Sequence, residues 1–242
     1  MSIYKDKIVF TGGSGRFAKA FKKIKNQVDF HFYFPTKKEL NILKLKSIKN
    51  YLRKIKPKYL LHLAGLSRPM NIHEKDIIQS IDKNIIGTAN ITKACYSFNI
   101  KLIYISTCYV YPGIKGYYNE DSSLNPLNKY AWSKLGGESS VILYKNSLIL
   151  RVSATEKPFV HKAAFYDFKT NFIFHEDLVK NILKVINQKG IINVGGKSQS
   201  VYRFAKIYNP QIKKISARRV LGKKAPINIT MNINRFKKLI ND

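Results

Sequence analysis

The 242-residue sequence predicts an α/β fold, a doubly wound parallel sheet with helices on both faces. Three observations predict it. Short apolar runs alternate with longer amphipathic ones, which is the pattern of βα units feeding a parallel sheet. The first run, Lys7 to Phe10, passes through the glycine turn Thr11-Gly12-Gly13-Ser14-Gly15 directly into a helical pattern. The run Leu102 to Ser106 reads as a continuous apolar strand, as expected for one covered on both faces.

The elements follow in order. Arg16 to Lys25 puts Phe17, Ala18, Phe21 and Ile24 on one helical face, and a second strand lies near Phe30 to Phe34. A loop at Pro35-Thr36-Lys37-Lys38 precedes a helix at about Leu45 to Lys56. Tyr59 to Leu63 is the next strand, and one long helix is expected from about Lys75 to Phe98. After the strand at Leu102, a helix opens near Lys129 and a strand runs from Leu148 to Val152. The remainder reads as helix at Asp177 to Asn187, strand at Ile191 to Val194 and helix at Val201 to Tyr208. The expected division is a core over residues 1–155 that includes the catalytic residues. Residues 156–242 are expected to add a small, shortened substrate-binding portion, late sheet elements and a basic tail, all within one structural unit.

Composition narrows the class. An apolar fraction of 45% with a mean hydropathy of -0.24 describes a globular chain and excludes a disordered one. No apolar stretch approaches the ~18 residues of a membrane helix. Lys5 and Lys7 interrupt the N-terminus, so no signal peptide is expected, and a cytoplasmic location follows. Two cysteines, Cys95 and Cys108, supply neither a disulfide framework nor a zinc site, and no metal is expected. The net charge of +30 comes from 36 Lys and only 8 Arg against 14 acids, a bias that an AT-rich genome produces without functional demand. The charge is spread along the chain. Its densest stretch is residues 200–242, where Lys213, Lys214, Arg218, Arg219, Lys223 and Lys224 are the first place to look for a polyanion, without aromatic interleaving in the sequence.

Two constellations carry chemistry. A strand that enters a helix through Thr11-Gly12-Gly13-Ser14-Gly15-Arg16-Phe17-Ala18 makes a diphosphate site, because free N–H groups and the helix dipole both favour anions. Tyr130 and Lys134 stand four apart on a helix and share a face. An ammonium beside a phenol lowers the phenol's pKa from about 10, which makes Tyr130 a usable proton donor. Ser106 and Thr107 place hydroxyls at the C-terminal end of a buried strand, where open α/β sheets bind ligands. Among other residues, His62 reads as a packed core histidine, and Glu176 and Asp177 as leaders of the next helix. Tyr117 and Tyr118 are divided evenly between substrate contact and cover, and Arg151 is a candidate for a substrate phosphate.

The span Ile105 to Glu138, ISTCYVYPGIKGYYNEDSSLNPLNKYAWSKLGGE, resembles the extended short-chain dehydrogenase/reductase family (the NAD-dependent epimerase/dehydratase type), and within it the dTDP-4-dehydrorhamnose reductase group. Weaker echoes are His62 to Gly65, Asn84 to Thr88, His175 to Leu178 and Asn193 to Gly196. The resemblance implies a Rossmann-type nucleotide domain and NAD(P)-dependent reduction of a keto group on a nucleotide-linked sugar. It makes Thr107, Tyr130 and Lys134 the catalytic set. Thr11, Gly12, Gly13, Ser14, Gly15, Arg16 and Phe17 would hold the cofactor diphosphate, and Leu63, Ala64 and Gly65 would line its adenosine side. Tyr130 and Lys134 would also touch the nicotinamide ribose. Three departures stand out: Ala18 replaces a glycine, Cys108 replaces the aspartate that follows the threonine, and only 23 residues separate Arg151 from His175.

The expected partner is a nucleotide-sugar, with no membrane, nucleic acid disfavoured, and a homodimer as the candidate assembly. NADP(H) is preferred over NAD(H), because no acid occurs at His31 to Lys38, while Lys37 or Lys38 could pair with a 2′-phosphate and Arg16 could swing over it; Thr36 is a further cofactor-binding candidate. The alternatives are an epimerase or dehydratase that recycles its cofactor, and a nucleotide- or RNA-binding module on the same fold. The intact Thr107, Tyr130 and Lys134 argue against the last.

Overall fold

The computed structural model describes residues 5–222 and 225–241. Strand β1 (Asp6–Thr11) passes through the glycine turn into helix α1 (Arg16–Ile24), and β2 (Phe30–Tyr33), α2 (Leu45–Ile55) and β3 (Tyr59–His62) follow. Two short helices, α3 (Ile72–Lys75) and α4 (Ile77–Ser80), lead through a π-helical turn at Ile81–Ile86 into α5 (Gly87–Ser97). Next come β4 (Lys101–Thr107), a 3₁₀ turn at Cys108–Val110, α6 (Lys129–Ile142) and β5 (Ser147–Val152). Four short strands fill the stretch before residue 175: β6 (Ala154–Thr155), β7 (Ala163–Phe165), β8 (Lys169–Thr170) and β9 (Ile173–Phe174). The chain closes with α7 (His175–Lys184), β10 (Gly190–Val194), β11 (Gln199–Ser200), α8 (Val201–Tyr208), β12 (Lys213–Ile215), α9 (Ala217–Leu221) and α10 (Asn234–Asn241). Among the described residues no helix is long and apolar enough to cross a membrane.

The central sheet has six strands in the order β10-β5-β4-β3-β1-β2, and β2, β1, β3 and β4 run parallel. Strand β1 therefore has β2 on one side and β3 on the other. The chain reverses its direction of winding there, and the crevice beyond the C-terminal ends of β1 and β3 is where such sheets bind ligands. Thr11 and His62 are register partners at that end. Val9, Leu60, Leu102 and Tyr104 of the sheet pack with Ile48 and Leu52 of α2 and Ile91, Ala94 and Cys95 of α5. On β1, Phe10 meets Phe21 of α1 at 4.8 Å and stacks on Phe34 at 4.6 Å.

The expected long helix from Lys75 to Phe98 is broken. Asp76 leaves helical geometry at φ -141° and caps α4 by accepting from the Gln79 N–H at 3.3 Å. The π turn then inserts a residue and turns Asn84 inward. Such turns often sit at functional positions.

The chain divides into two compact units that interleave in sequence. The first comprises 1–106, 129–150 and 186–191, and the second 107–128, 151–185 and 192–242. Three of the five crossings fall inside or at the end of a sheet strand, β4 at Ser106/Thr107, β5 at Leu150/Arg151 and β10 at Ile191/Ile192, and the other two lie beside helices, at Asn128/Lys129 and Val185/Ile186. That is why no linker composition marks the boundary.

Candidate active site

The glycine turn is built by close approach. Gly12 has φ +69°, and a Cβ there would stand 2.9 Å from the Ala64 backbone, so glycine is required twice over. Its carbonyl accepts from the Gly15 N–H at 2.8 Å. Gly15 offers α1 no side-chain cap and the first turn carries no acid, which leaves the helix N-terminus to an external anion. Thr11 Oγ accepts from the N–H groups of Leu63 and Ala64, each at 3.1 Å, and so ties the end of β1 to the loop after β3.

His62 locks this junction from below. It is 1% exposed, with Nδ1 2.6 Å from Thr11 Oγ and Nε2 3.1 Å from Thr88 Oγ. Thr88 gives its only hydroxyl proton to the Asn84 carbonyl at 2.7 Å, so it must accept from His62. The proton therefore sits on Nε2, and Thr11 donates to the bare Nδ1. Burial, aided by Lys134, holds the His62 pKa down to about 3, which keeps the ring neutral. The packed core reading of His62 is what the structure contains.

Tyr130 and Lys134 lie in the first turns of α6. Lys134 is buried, and burial lowers its pKa to about 7 against the opposing pull of Glu138. The side chain of Asn84 holds both backbone groups of Leu66, accepting from its N–H at 2.7 Å and donating to its carbonyl at 2.9 Å. The same amide donates to Ser133 Oγ at 2.8 Å, and Ser133 donates to the Tyr130 carbonyl at 2.7 Å. One side chain thus clamps the loop after β3 to the helix that bears Tyr130. Gly137 makes room for it, since a Cβ there would meet the Asn84 carbonyl at 2.7 Å. His73, which nothing in the sequence singles out, packs its ring 5.2 Å from that of Tyr130.

The remaining expected residues are placed as follows. Arg16 reaches Ser67 Oγ at 3.3 Å, and Phe17 packs edge-on against Phe21 at 5.8 Å. Thr36 directs both its N–H and its hydroxyl to Glu39, at 2.7 and 2.9 Å, and Lys37 is exposed. The Ser106 hydroxyl is buried and has no hydrogen-bond partner, at the ligand-binding end of β4. In the second unit, Thr107 is buried and accepts from the Tyr109 N–H at 3.3 Å. Burial pushes the Cys108 thiol up to about 11, which makes it a small packed group and not a nucleophile.

The second unit also redirects two expectations. Arg151 is 2% exposed and donates to the Tyr111 hydroxyl at 2.9 Å and the Glu120 carbonyl at 3.0 Å, so it braces a loop and is not presented to a phosphate. Tyr118 stacks on Tyr111 at 4.9 Å and accepts from two backbone N–H groups, whereas Tyr117 is exposed. The basic tail gains aromatic company that its sequence lacks. Lys214 lies 4.9 Å over the Tyr166 ring and 5.7 Å over Tyr202, and Arg218 and Arg219 line a cleft of about 660 Å³ with Tyr166 and Lys169. Lys223 and Lys224 lie outside the described residues.

Residues 6–167 match the RmlD substrate binding domain family. The chain belongs to that family. The closeness of its fold to solved RmlD-type structures is high: dTDP-4-dehydrorhamnose reductase from Bacillus anthracis, in complex with NADP, superposes with a TM-score of 0.84 at 23% identity, over 97% of this chain and 93% of that one. The Clostridium acetobutylicum RfbD ortholog gives 0.84 at 21% identity, over 96% and 92%. Among curated proteins, methionine adenosyltransferase 2 subunit beta of Xenopus tropicalis is 31% identical over 153 residues, 60% of this chain and 45% of that protein. The matched region thus spans just under half the length of that relative.

Proposed function

We propose that this RmlD-family chain is an NADP(H)-dependent reductase of a keto-sugar carried on a nucleotide. The observation that carries the reading is the arrangement of Tyr130 and Lys134 on α6, with Lys134 buried and brought to about 7 and the helix start clamped through Ser133 and Asn84 to the loop beside the glycine turn. The Gly12 cradle, the uncapped start of α1 and the unpartnered Ser106 hydroxyl fit a dinucleotide. Thr11 to Phe17 would hold its diphosphate and Leu63 to Gly65 its adenosine side. When bound, a reduced nicotinamide supplies the hydride.

Tyr130 donates the proton to the carbonyl oxygen as the hydride arrives at carbon, so a ketone becomes an alcohol. Lys134, when charged, stabilises the phenolate that remains and holds the ribose. The experiment is to mix the purified chain with NADPH and a panel of dTDP-, UDP- and GDP-linked 4-keto-6-deoxysugars and follow the absorbance of the reduced nicotinamide. Stoichiometric loss of absorbance supports reduction. Sugar conversion without that loss identifies a recycling epimerase or dehydratase, and no conversion of any sugar overturns the reading.

A second reading has its own observation. The Xenopus relative is named as a subunit of another enzyme, which favours an accessory protein that binds a nucleotide and a partner. Turnover by the isolated chain decides against it. For assembly we propose a homodimer: Ile77, Ile78, Ile81, Trp132 and Ile142 are exposed apolar side chains on α4, the π turn and α6.

A further inference from the structure

His73 is buried at 1% exposure, yet its Nε2 has no hydrogen-bond partner. A buried polar atom left unpaired is costly, and such atoms in folded proteins ask for an explanation. The neighbours of this one supply it. The other nitrogen, Nδ1, lies 2.8 Å from Ser80 Oγ, and among the described residues that hydroxyl makes no other hydrogen bond. If Nδ1 carried the proton, the serine hydroxyl proton and the Nε2 lone pair would both be unmet. With Ser80 donating to Nδ1, only one group is unmet, an N–H at Nε2. The ring is thus oriented by Ser80 as a donor, and it packs 5.2 Å from the ring of Tyr130 at a tilt of 58°.

We propose that His73 is a substrate-recognition residue, whose Nε2–H donates to an oxygen of the sugar bound against Tyr130. This rests on the reading of the chain as a nucleotide-sugar reductase. Burial lowers the His73 pKa while Glu74 opposes the shift, so the ring brings a proton without a charge, which suits a hydroxyl or carbonyl oxygen. Access to Nε2 requires α3 to move. The helix has four residues, and its one ion pair to α6, Glu74 to Lys129 at 2.9 Å, is more than half exposed. Exposed pairs of this kind contribute little to stability. A ligand oxygen that satisfies Nε2 offsets that loss.

The test uses the full chain in three forms: wild type, His73→Phe, which keeps a ring without the donor, and His73→Gln, which keeps an N–H. Calorimetry with dTDP-rhamnose in the presence of NADP⁺ reads affinity without turnover, and steady-state assays with the best keto-sugar of the panel read KM and kcat. His73→Phe is expected to weaken dTDP-rhamnose binding and raise KM about tenfold, with kcat within about twofold and NADPH affinity unchanged, and His73→Gln to recover part of the loss. Binding and KM equal to wild type in a folded His73→Phe overturn the assignment. So does a fall in kcat alone, which would make His73 a support for Tyr130. If His73→Phe melts well below wild type, His73→Leu, which also lacks the donor, decides: retained fold with no change in affinity or KM also overturns it. A wild-type chain that neither binds nor reduces any nucleotide-sugar removes the reductase reading itself, and the role of His73 with it.

Discussion

Lys134 Nζ stands 4.0 Å over the ring of Tyr104, while the Tyr104 hydroxyl donates to the Lys134 carbonyl at 3.1 Å. One buried tyrosine therefore holds both ends of the lysine. The ring face is a weaker substitute for water than a carboxylate would be, and burial brings the Lys134 pKa from 10.5 to about 7. Between those values the unfolded chain binds a proton that the folded chain does not. Stability therefore rises with pH across that window, by up to about 1.4 kcal/mol per unit from this group. Thermal melts of the ligand-free protein from pH 7 to 9.5 should climb, and Lys134→Met should climb less. Parallel profiles would show that Lys134 remains charged when buried.

Tyr130→Phe should lower kcat by about 100-fold or more, because the proposed reaction takes its proton from this phenol, and leave NADPH affinity close to wild type. Lys134→Met should lose rate and also cofactor affinity, since the same ammonium serves the phenolate and the ribose. Near-normal turnover by Tyr130→Phe would end the catalytic assignment.

His62 governs the acid side. Its ring is neutral when folded, with a pKa near 3 against 6.5 unfolded, so its contribution is complete above pH 6.5 and lost as pH falls toward 3. His62→Phe strands the Thr11 hydroxyl proton and the Thr88 acceptor, and should cost about 2–4 kcal/mol in urea unfolding at neutral pH. The same variant should unfold less steeply in acid. An unchanged acid profile would mean that other groups set it.

What was legible in the sequence is what depends on near neighbours. The turn from Gly12 to Gly15 declares itself because the strand and the helix adjoin it, and Tyr130 with Lys134 is a spacing of one helical turn. The clamp from Asn84 to Ser133 spans 49 residues, and the lock from Thr11 to His62 spans 51, so no local pattern announces either. The break at Asp76 was hidden for another reason: apolar periodicity on both sides of it continues through Ile77, Ile78 and Ile81, and only the cap shows the interruption. His73 was invisible because its meaning lies in what it fails to bond. The aromatic setting of Lys214 arises from the pairing of β12 with β7, about fifty residues apart in the chain.

Cofactor choice can now be argued from contacts. NAD enzymes of this architecture commonly place an acid after the second strand to take the ribose 2′-OH. The nearest acid here is Glu39, and its carboxylate already accepts two hydrogen bonds from Thr36, which hold its pKa below the usual range. Thr36 and Glu39 are thus occupied with each other. Selectivity then falls to Arg16 and Lys37. Arg16 makes an exposed bond of 3.3 Å to Ser67, and Lys37 is exposed beside the same loop. NADPH should bind about tenfold tighter than NADH, as one charge-assisted contact to the 2′-phosphate would supply. Arg16→Ala combined with Lys37→Ala should remove that advantage and leave NADH affinity nearly unchanged. Fluorescence titration with both reduced cofactors reads the result, and NADH binding as tight as NADPH in the wild type would defeat the assignment.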